Sequence, residues 1–139
     1  MTPLLKSLQH SDGNETAMGA GSMPKANAMP AIRTNQIRAL NDIFRKTLLI
    51  GGQCVLTQGV CSIGEAFIAQ AIASVRTFAE FNADNDPYGE HDFGTFTVAD
   101  TACIWKIDYY DQSLHFGSKD PADASQTKRV LTIMLAEEY

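Results

Sequence analysis

No stretch of this sequence approaches the roughly 18 consecutive apolar residues that a membrane-spanning helix requires. The N-terminal region also lacks the apolar segment of about 7–15 residues that defines a secretory signal peptide. Cysteine is scarce, with three residues in 139 and no CxxC pair. An odd count argues against a complete disulfide framework, and free, buried thiols are typical of a reducing compartment. The sequence therefore predicts a cytoplasmic protein without a membrane span.

The motifs that identify common catalytic and cofactor sites are missing as well. There is no G-x-S-x-G nucleophile motif, no phosphate-binding P-loop, no G-x-G-x-x-G motif, and no H-E-x-x-H, EF-hand or Cys/His zinc pattern. A two-strand nuclease pattern would need an acid two positions before Lys106, where the sequence has Ile104. Trp105 could stack on a base, but its place in an alternating segment assigns it to the core. We therefore predict no resident cofactor and favour a binding protein over an enzyme.

The composition is otherwise that of one globular domain. Hydrophobic residues make up 45% of the chain and charged residues 19%, which is too little charge for a fully disordered protein. Acidic residues outnumber basic ones by 16 to 11, which disfavours a general nucleic-acid binder. The acids are concentrated in residues 80–139, which carry twelve acidic and four basic side chains. Such a negative field attracts cations and basic surfaces.

Composition divides the chain into two parts. Residues 1–31 contain scattered glycine, proline, serine and asparagine without a sustained apolar period. Such a segment cannot bury enough apolar surface to offset its ordering entropy. We therefore predict a flexible N-terminal tail over residues 1–31 and a single globular domain over residues 32–139.

Apolar residues at three- and four-residue spacing predict three helices in that domain. The first covers residues 34–49 and ends at two glycines. The second begins at a capping box formed by Ser62 and Glu65 and runs to about residue 81. The third covers residues 123–136, where five apolar side chains turn inward.

Alternating segments predict the strands. Residues 93–98 and 102–110 form a hairpin connected by Ala99-Asp100-Thr101, residues 53–57 form a short strand, and residues 114–116 are a candidate further strand. The predicted fold class is α+β, with the order α-β-α-β-β-(β)-α. A small, mainly antiparallel sheet of a hairpin plus short strands is packed by about three helices.

One set of residues concentrates side chains that could carry chemistry, and we name it the candidate acidic edge. It combines the loop that enters the hairpin with the far end of the second hairpin strand. Because the open end of a hairpin brings these segments together, we expect their side chains to converge. Its members are Asp84, Asp86, Glu90, His91, Asp92, Asp108, Tyr110 and Asp111.

Three interpretations of the candidate acidic edge remain open. A divalent metal could bind at Glu90, His91, Asp92 and Asp108. Like charges could instead raise the pKa of one carboxyl group and support general acid/base chemistry. In the third interpretation the side chains only satisfy backbone N–H groups of a structured loop.

Several strings resemble a domain family of unknown function that is common in alphaproteobacteria, often on plasmids and other mobile elements. They are RALND at residues 38–42, NDPYGEHDFG at 85–94, WKIDYYD at 105–111 and VLTIMLAEEY at 130–139. The resemblance implies no established activity, substrate or cofactor and supplies no catalytic residues. It implies a bacterial, cytoplasmic setting and an accessory role for mobile DNA, such as countering host defence or assisting plasmid maintenance.

These observations lead to one main hypothesis and two alternatives. The main hypothesis is a non-enzymatic, acidic protein-binding module whose partner presents a basic surface, such as a nucleic-acid-handling or defence protein of the host. The first alternative is a metal-dependent hydrolase or nuclease that uses the four metal-ligand candidates. The second is a plasmid-maintenance protein that contacts DNA through a basic face of the first helix, formed by Arg38, Arg45 and Lys46.

Overall fold

The fold is the predicted α+β class, a four-stranded sheet packed by helices. A computed structural model describes residues 29–139. Within that range the helices are α1 (Met29–Thr47), α2 (Gln58–Ile63) and α3 (Glu65–Arg76). The strands are β1 (Gly52–Leu56), β2 (Phe93–Val98), β3 (Thr101–Tyr110) and β4 (Lys128–Leu135), and short 3₁₀ turns lie at Ala124–Gln126 and Ala136–Glu138. No helix in this part of the chain is long and apolar enough to cross a membrane.

The four strands form one mixed sheet in the order β1-β4-β3-β2. β1 runs parallel to β4, whereas the β4–β3 and β3–β2 pairs are antiparallel. The β2–β3 hairpin closes through two residues, Ala99 and Asp100, whose φ angles of 50° and 67° are left-handed. Two-residue hairpin turns favour this conformation because its twist matches that of the strands. β1 and β2 are therefore the two edge strands.

Helices α1, α2 and α3 contribute to the core on one face of the sheet, and Trp105 of β3 lies at its centre. Trp105 is fully buried, which confirms its assignment to the core. Phe78 and Phe81, from the segment after α3, approach its ring edge-on at centroid distances of 5.5 and 6.2 Å. Aromatic pairs in this arrangement contribute about 0.5–1.5 kcal/mol beyond their buried area. Phe44 of α1 and Val75 of α3 are fully buried in the same core.

The predicted last helix over residues 123–136 is wrong, because residues 128–135 form the inner strand β4. β4 lies between β1 and β3, and its last three residues are all buried. A strand that is buried on both faces loses the polar alternation that distinguishes a strand from a helix. Asp123 does cap a helical turn, since its side chain accepts from Ser125 N–H, but that turn ends at Gln126.

The predicted second helix is divided into two. Gly64, with φ 129° and ψ 172°, separates α2 from α3. Ser62 lies inside α2, so the predicted capping box does not form. Thr57 caps α2 instead, and α3 ends at Arg76 rather than near residue 81.

The other predicted elements differ mainly in their ends. α1 begins at Met29 rather than at residue 34, so residues 29–31 are helical rather than part of the predicted tail. The rest of that tail, residues 1–28, lies outside the described residues. The candidate strand at 114–116 does not form, and an isolated bridge between Tyr110 and Gly117 lies beside it.

Gly94 of β2 tests how closely the core packs against the sheet. A Cβ atom at this position would lie 2.5 Å from Trp105 Nε1 and 2.7 Å from Phe78 Cζ. We expect Gly94→Ala to lower the free energy of unfolding by about 1–3 kcal/mol, because the ring packing must shift to accommodate the methyl group. Urea denaturation measures the change.

Gly117→Ala is the matched control. The nearest atom to a Cβ there is Tyr109 O at 3.9 Å, which is an ordinary contact. We expect its effect to stay within about 0.5 kcal/mol. Equal losses for the two variants would contradict the close packing at Gly94.

Candidate functional site

His91 lies in the loop before β2, with its ring between two carboxylates. Nδ1 is 2.9 Å from Asp42 Oδ1 of α1, and Nε2 is 3.6 Å from Asp86 Oδ2. Asp86 Oδ1 also accepts from the backbone N–H of His91 at 3.0 Å, which supports the left-handed φ of 57° at this residue. The imidazole stacks on Phe81 with a centroid distance of 3.7 Å and an interplanar angle of 4°. A proton on either ring nitrogen therefore has a carboxylate beside it.

Arg45 is the second partner of Asp42. It is 1% exposed, and its Nη2 donates to Asp42 Oδ1 at 3.0 Å. Its Nη1 donates to the carbonyl of Phe78 at 3.0 Å, and the guanidinium lies 5.4 Å from the Phe81 ring centroid and 5.5 Å from that of Trp105. The guanidinium thus joins α1 to the segment after α3 by charge, hydrogen bond and ring contact.

These contacts compensate the buried carboxylate of Asp42. Burial raises the pKa of this carboxyl, but hydrogen bonds to His91 and Arg45 and their charges outweigh burial and hold the pKa below its ordinary value. A buried charge is tolerated only when it is paired and hydrogen-bonded in this way.

Asn41, the neighbour of Asp42, organises a second polar cluster. Its Nδ2 donates to Glu90 O at 2.9 Å and to Tyr109 Oη at 2.8 Å, while its Oδ1 accepts from Arg129 Nε at 2.5 Å. Tyr109 in turn donates to Glu90 Oε1 at 2.7 Å. Burial and the hydrogen bond to Glu90 raise the pKa of Tyr109, so the phenol keeps its proton. The fully buried Asn41 therefore connects α1 to the loop, β3 and β4.

The structure brings together the first half of the candidate acidic edge, but its side chains bind partners inside the protein. Asp86 and His91 bind each other, and Glu90 accepts from Tyr109. Asp92 is half-buried. Burial raises the pKa of its carboxyl group, and the nearby charges of Glu90, Asp86 and Asp108 raise it further.

The remaining members have other contacts, although the charge of Asp108 also reaches Asp92. Asp108 pairs with Lys106, its neighbour on the sheet face opposite to the Trp105 side chain. Asp111 accepts from the Ser113 hydroxyl and from His115 N–H, so it caps its own loop. Asp84 is exposed, and Tyr110 forms the bridge with Gly117. The structure therefore brings part of the candidate acidic edge together around Asp92, whereas Asp111 is engaged within its own loop.

The proposed metal ligands do not share a common centre. Within residues 29–139, no group of three or more His, Cys, Asp or Glu side chains is arranged to hold a metal ion. The His91 ring is engaged by Asp42, Glu90 by Tyr109, and Asp108 by Lys106.

The basic face predicted for the first helix is also not a solvated face. Arg45 is buried, and Arg38 Nε donates to the carbonyl of Gly89 at 2.6 Å. Lys46 is half-buried. Arg38 and Arg45 hold α1 against the rest of the fold, whereas the sequence pattern placed them on a basic face available to DNA.

Two cavities share residues 77–79 in their lining. The smaller, of about 350 Å³, lies over Asp42, Arg45 and His91. The larger, of about 700 Å³, is an open cleft lined by residues 77–80, by residues 95–97 of β2, by residues 102–104 of β3, and by Ser74 and Ala136. We refer to it as the β2 cleft.

A protein-family model matches residues 56–138, from the last residue of β1 to the final 3₁₀ turn, and its description is "Protein of unknown function (DUF3768)". No curated protein matches the chain, and no solved structure matches it.

The first prediction from this geometry concerns His91. We expect His91→Asn to lower the free energy of unfolding by about 1–3 kcal/mol, because Asp42 loses a hydrogen-bond partner in a buried position. Asparagine tolerates the left-handed backbone, so the change tests the ring rather than the φ angle. His115→Asn, at an exposed position, is the control and should stay within about 0.5 kcal/mol. Equal urea midpoints for His91→Asn and the unchanged protein would contradict a structural role for the ring.

The second prediction concerns Asp92 and pH. Because its pKa is raised in the folded state, ionised Asp92 destabilises the fold once the pH exceeds the ordinary carboxyl value. We expect Asp92→Asn to gain stability relative to the unchanged protein as the pH rises from about 4 to 7. Asp84→Asn, at an exposed position, is the control for removing one negative charge, and the trend is taken as the difference between the two variants. Urea denaturation across this range measures both, and a pH-independent difference for Asp92→Asn would contradict the assignment.

Proposed function

The chain belongs to the DUF3768 family of proteins of unknown function, and we propose that it is an acidic protein-binding module whose partner presents a basic surface. The observation that carries this proposal is a difference between the basic and the acidic side chains in their contacts within the protein. Basic side chains are mostly engaged within the protein, whereas a set of carboxylates is not.

The engaged basic side chains fall into two groups. Arg45 and Arg129 are buried. Four others bind a carbonyl or carboxylate of the chain: Arg33, Arg38, Arg76 and Lys106. These contacts hold the basic side chains in place, so that they do not pair with the exposed carboxylates described next.

Five exposed carboxylates, by contrast, form no side-chain hydrogen bond or ion pair with another described residue. They are Glu65, Glu80, Asp84, Asp100 and Glu137. Unpaired surface charge of one sign speeds the encounter with an oppositely charged partner and makes binding sensitive to salt. Glu80 lines the β2 cleft, which makes that side of the protein a candidate docking surface.

The setting we propose follows from the same chemistry. Proteins that handle nucleic acid present basic surfaces to phosphate groups, so a nucleic-acid-handling or defence protein of the host is a suitable partner. This partner agrees with an accessory role on mobile DNA. The cysteines Cys54, Cys61 and Cys103 are free, which is compatible with the reducing cytoplasm. Only Cys103 is buried, whereas Cys54 is half-buried and Cys61 is exposed.

A binding experiment with simple charged probes tests the proposal. We expect fluorescence anisotropy to show that the protein binds labelled octalysine, with an affinity that falls as salt rises from about 50 to 300 mM. A variant in which the five unpaired carboxylates are replaced by their amides should bind at least about tenfold more weakly, which corresponds to about 1.4 kcal/mol.

Two controls test whether the binding depends on the sign of the charge. Octaglutamate should not bind, and Lys119→Gln, which removes an exposed positive charge, should not weaken the binding of octalysine. Binding that is independent of salt, or equal for the two probes, would overturn the proposal.

A further inference from the structure

We propose that the free edge of β2 receives an extended, basic segment of the partner protein as an additional strand beside the β2 cleft. This inference rests on the proposed function and gives it a binding mode. In this binding mode, main-chain hydrogen bonds supply the affinity, as in other proteins that bind a peptide strand at a sheet edge.

The register of the hairpin shows which backbone groups of β2 are available. Gly94 pairs with Trp105, and Ile107 N–H donates to Asp92 O at 2.9 Å. In an antiparallel pair, residues that bond the partner strand alternate with residues whose N–H and C=O groups point away from it. The residues whose groups point to the free edge are Phe93, Thr95 and Thr97. None of these groups has a partner among residues 29–139.

β2 also lacks the features that usually protect an edge strand. Sheets avoid unwanted pairing by placing lysine, proline or a bulge on the edge. The six residues of β2, FGTFTV, contain none of these residues, and their register with β3 is continuous. Thr95 and Thr97 are exposed. An edge of this kind can pair with another strand.

The β2 cleft adjoins the free edge of β2 at one end and extends over β3 towards Ala136 at the other. A new strand would run about 4.8 Å from β2, and the cleft follows the edge at Thr95, Phe96 and Thr97. Its opposite wall is formed by residues 77–80, where Phe78 and Ala79 offer apolar contact. Alternate side chains of the added strand would therefore contact this wall, while its backbone bonds to β2.

Charge selects a basic segment as the occupant. Glu80 lines the cleft, Asp100 lies in the turn between the cleft residues Thr97 and Ala102, and Glu137 follows the cleft residue Ala136. All three carboxylates are unpaired with other described residues. A second copy of this chain would bring its own Glu80 and Asp100 to the same edge, and like charges would repel. A basic segment of a partner satisfies both the edge and the carboxylates.

The test uses an acetylated and amidated (Val-Lys)₄ peptide with a fluorescent label. Two further peptides carry N-methyl groups, one at every valine and one at every lysine. Because only one alternating set of N–H groups can face β2, we expect one N-methylated peptide to lose at least tenfold in affinity while the other binds nearly as well as the parent. Binding by charge alone would not distinguish the two peptides.

A second measurement detects the added strand from changes in the protein rather than in the peptide. Amide hydrogen exchange at Thr95 and Thr97 should slow when the parent peptide is added, and exchange at Asp84, in the loop before the hairpin, should not change. Thr95→Pro, which removes an edge N–H, should lower the affinity for the parent peptide at least fivefold, whereas Thr95→Val should leave this affinity unchanged. Circular dichroism shows whether the proline variant is folded, and the N-methyl comparison does not depend on it.

The outcomes separate the two proposals. If both N-methylated peptides bind like the parent and binding falls with salt, the acidic surface stands and strand addition is overturned. If the parent peptide and octalysine both fail to bind, both proposals are overturned. If the protein dimerises and Thr95→Pro abolishes the dimer, the occupant of the edge is a second copy of this chain. That result would overturn the assignment to a partner protein.

Discussion

The carboxylate of Asp42 sits in the interior, and two side chains compensate it from different parts of the chain. Arg45 belongs to the same helix, whereas His91 comes from the loop that leads into β2. Arg45 compensates the carboxylate from within α1, and the additional contact of His91 with the same carboxylate holds the loop against α1. Because β2 begins two residues after His91, this constraint also places the start of the edge strand and one end of the β2 cleft.

The predictability of each element follows from how it is buried. The β2–β3 hairpin was predicted to within one residue, because its edge strand alternates exposed and covered positions and a short polar turn separates the strands. β4 was predicted as a helix because its last three residues are all buried. Polar and apolar residues therefore do not alternate there, and that alternation is what identifies a strand. Gly64 could not be recognised as a break, since a glycine inside an apolar period is compatible with a continuous helix.

The polar clusters were only partly predictable. The sequence pointed to Glu90 and His91, but their partners Asn41 and Asp42 lie 49 residues away in the chain. A signal existed in α1, where Asn41 and Arg45 follow Ile37 at helical spacing and so share its buried face. The pattern of apolar residues alone assigned Arg45 to solvent. The unpaired carboxylates around the β2 cleft could not be inferred either, because which acids remain free depends on tertiary contacts.

The family match begins at the last residue of β1, yet α1 and the rest of β1 complete the structure that it covers. A fragment cut at that boundary would turn β4 into an open edge, because β1 is its parallel neighbour. It would also leave the Arg129 guanidinium without Asn41. The folded unit of this chain is therefore longer than the matched segment. A relative that begins at the boundary would need a helix and a strand from another source, such as a fused domain or a second subunit.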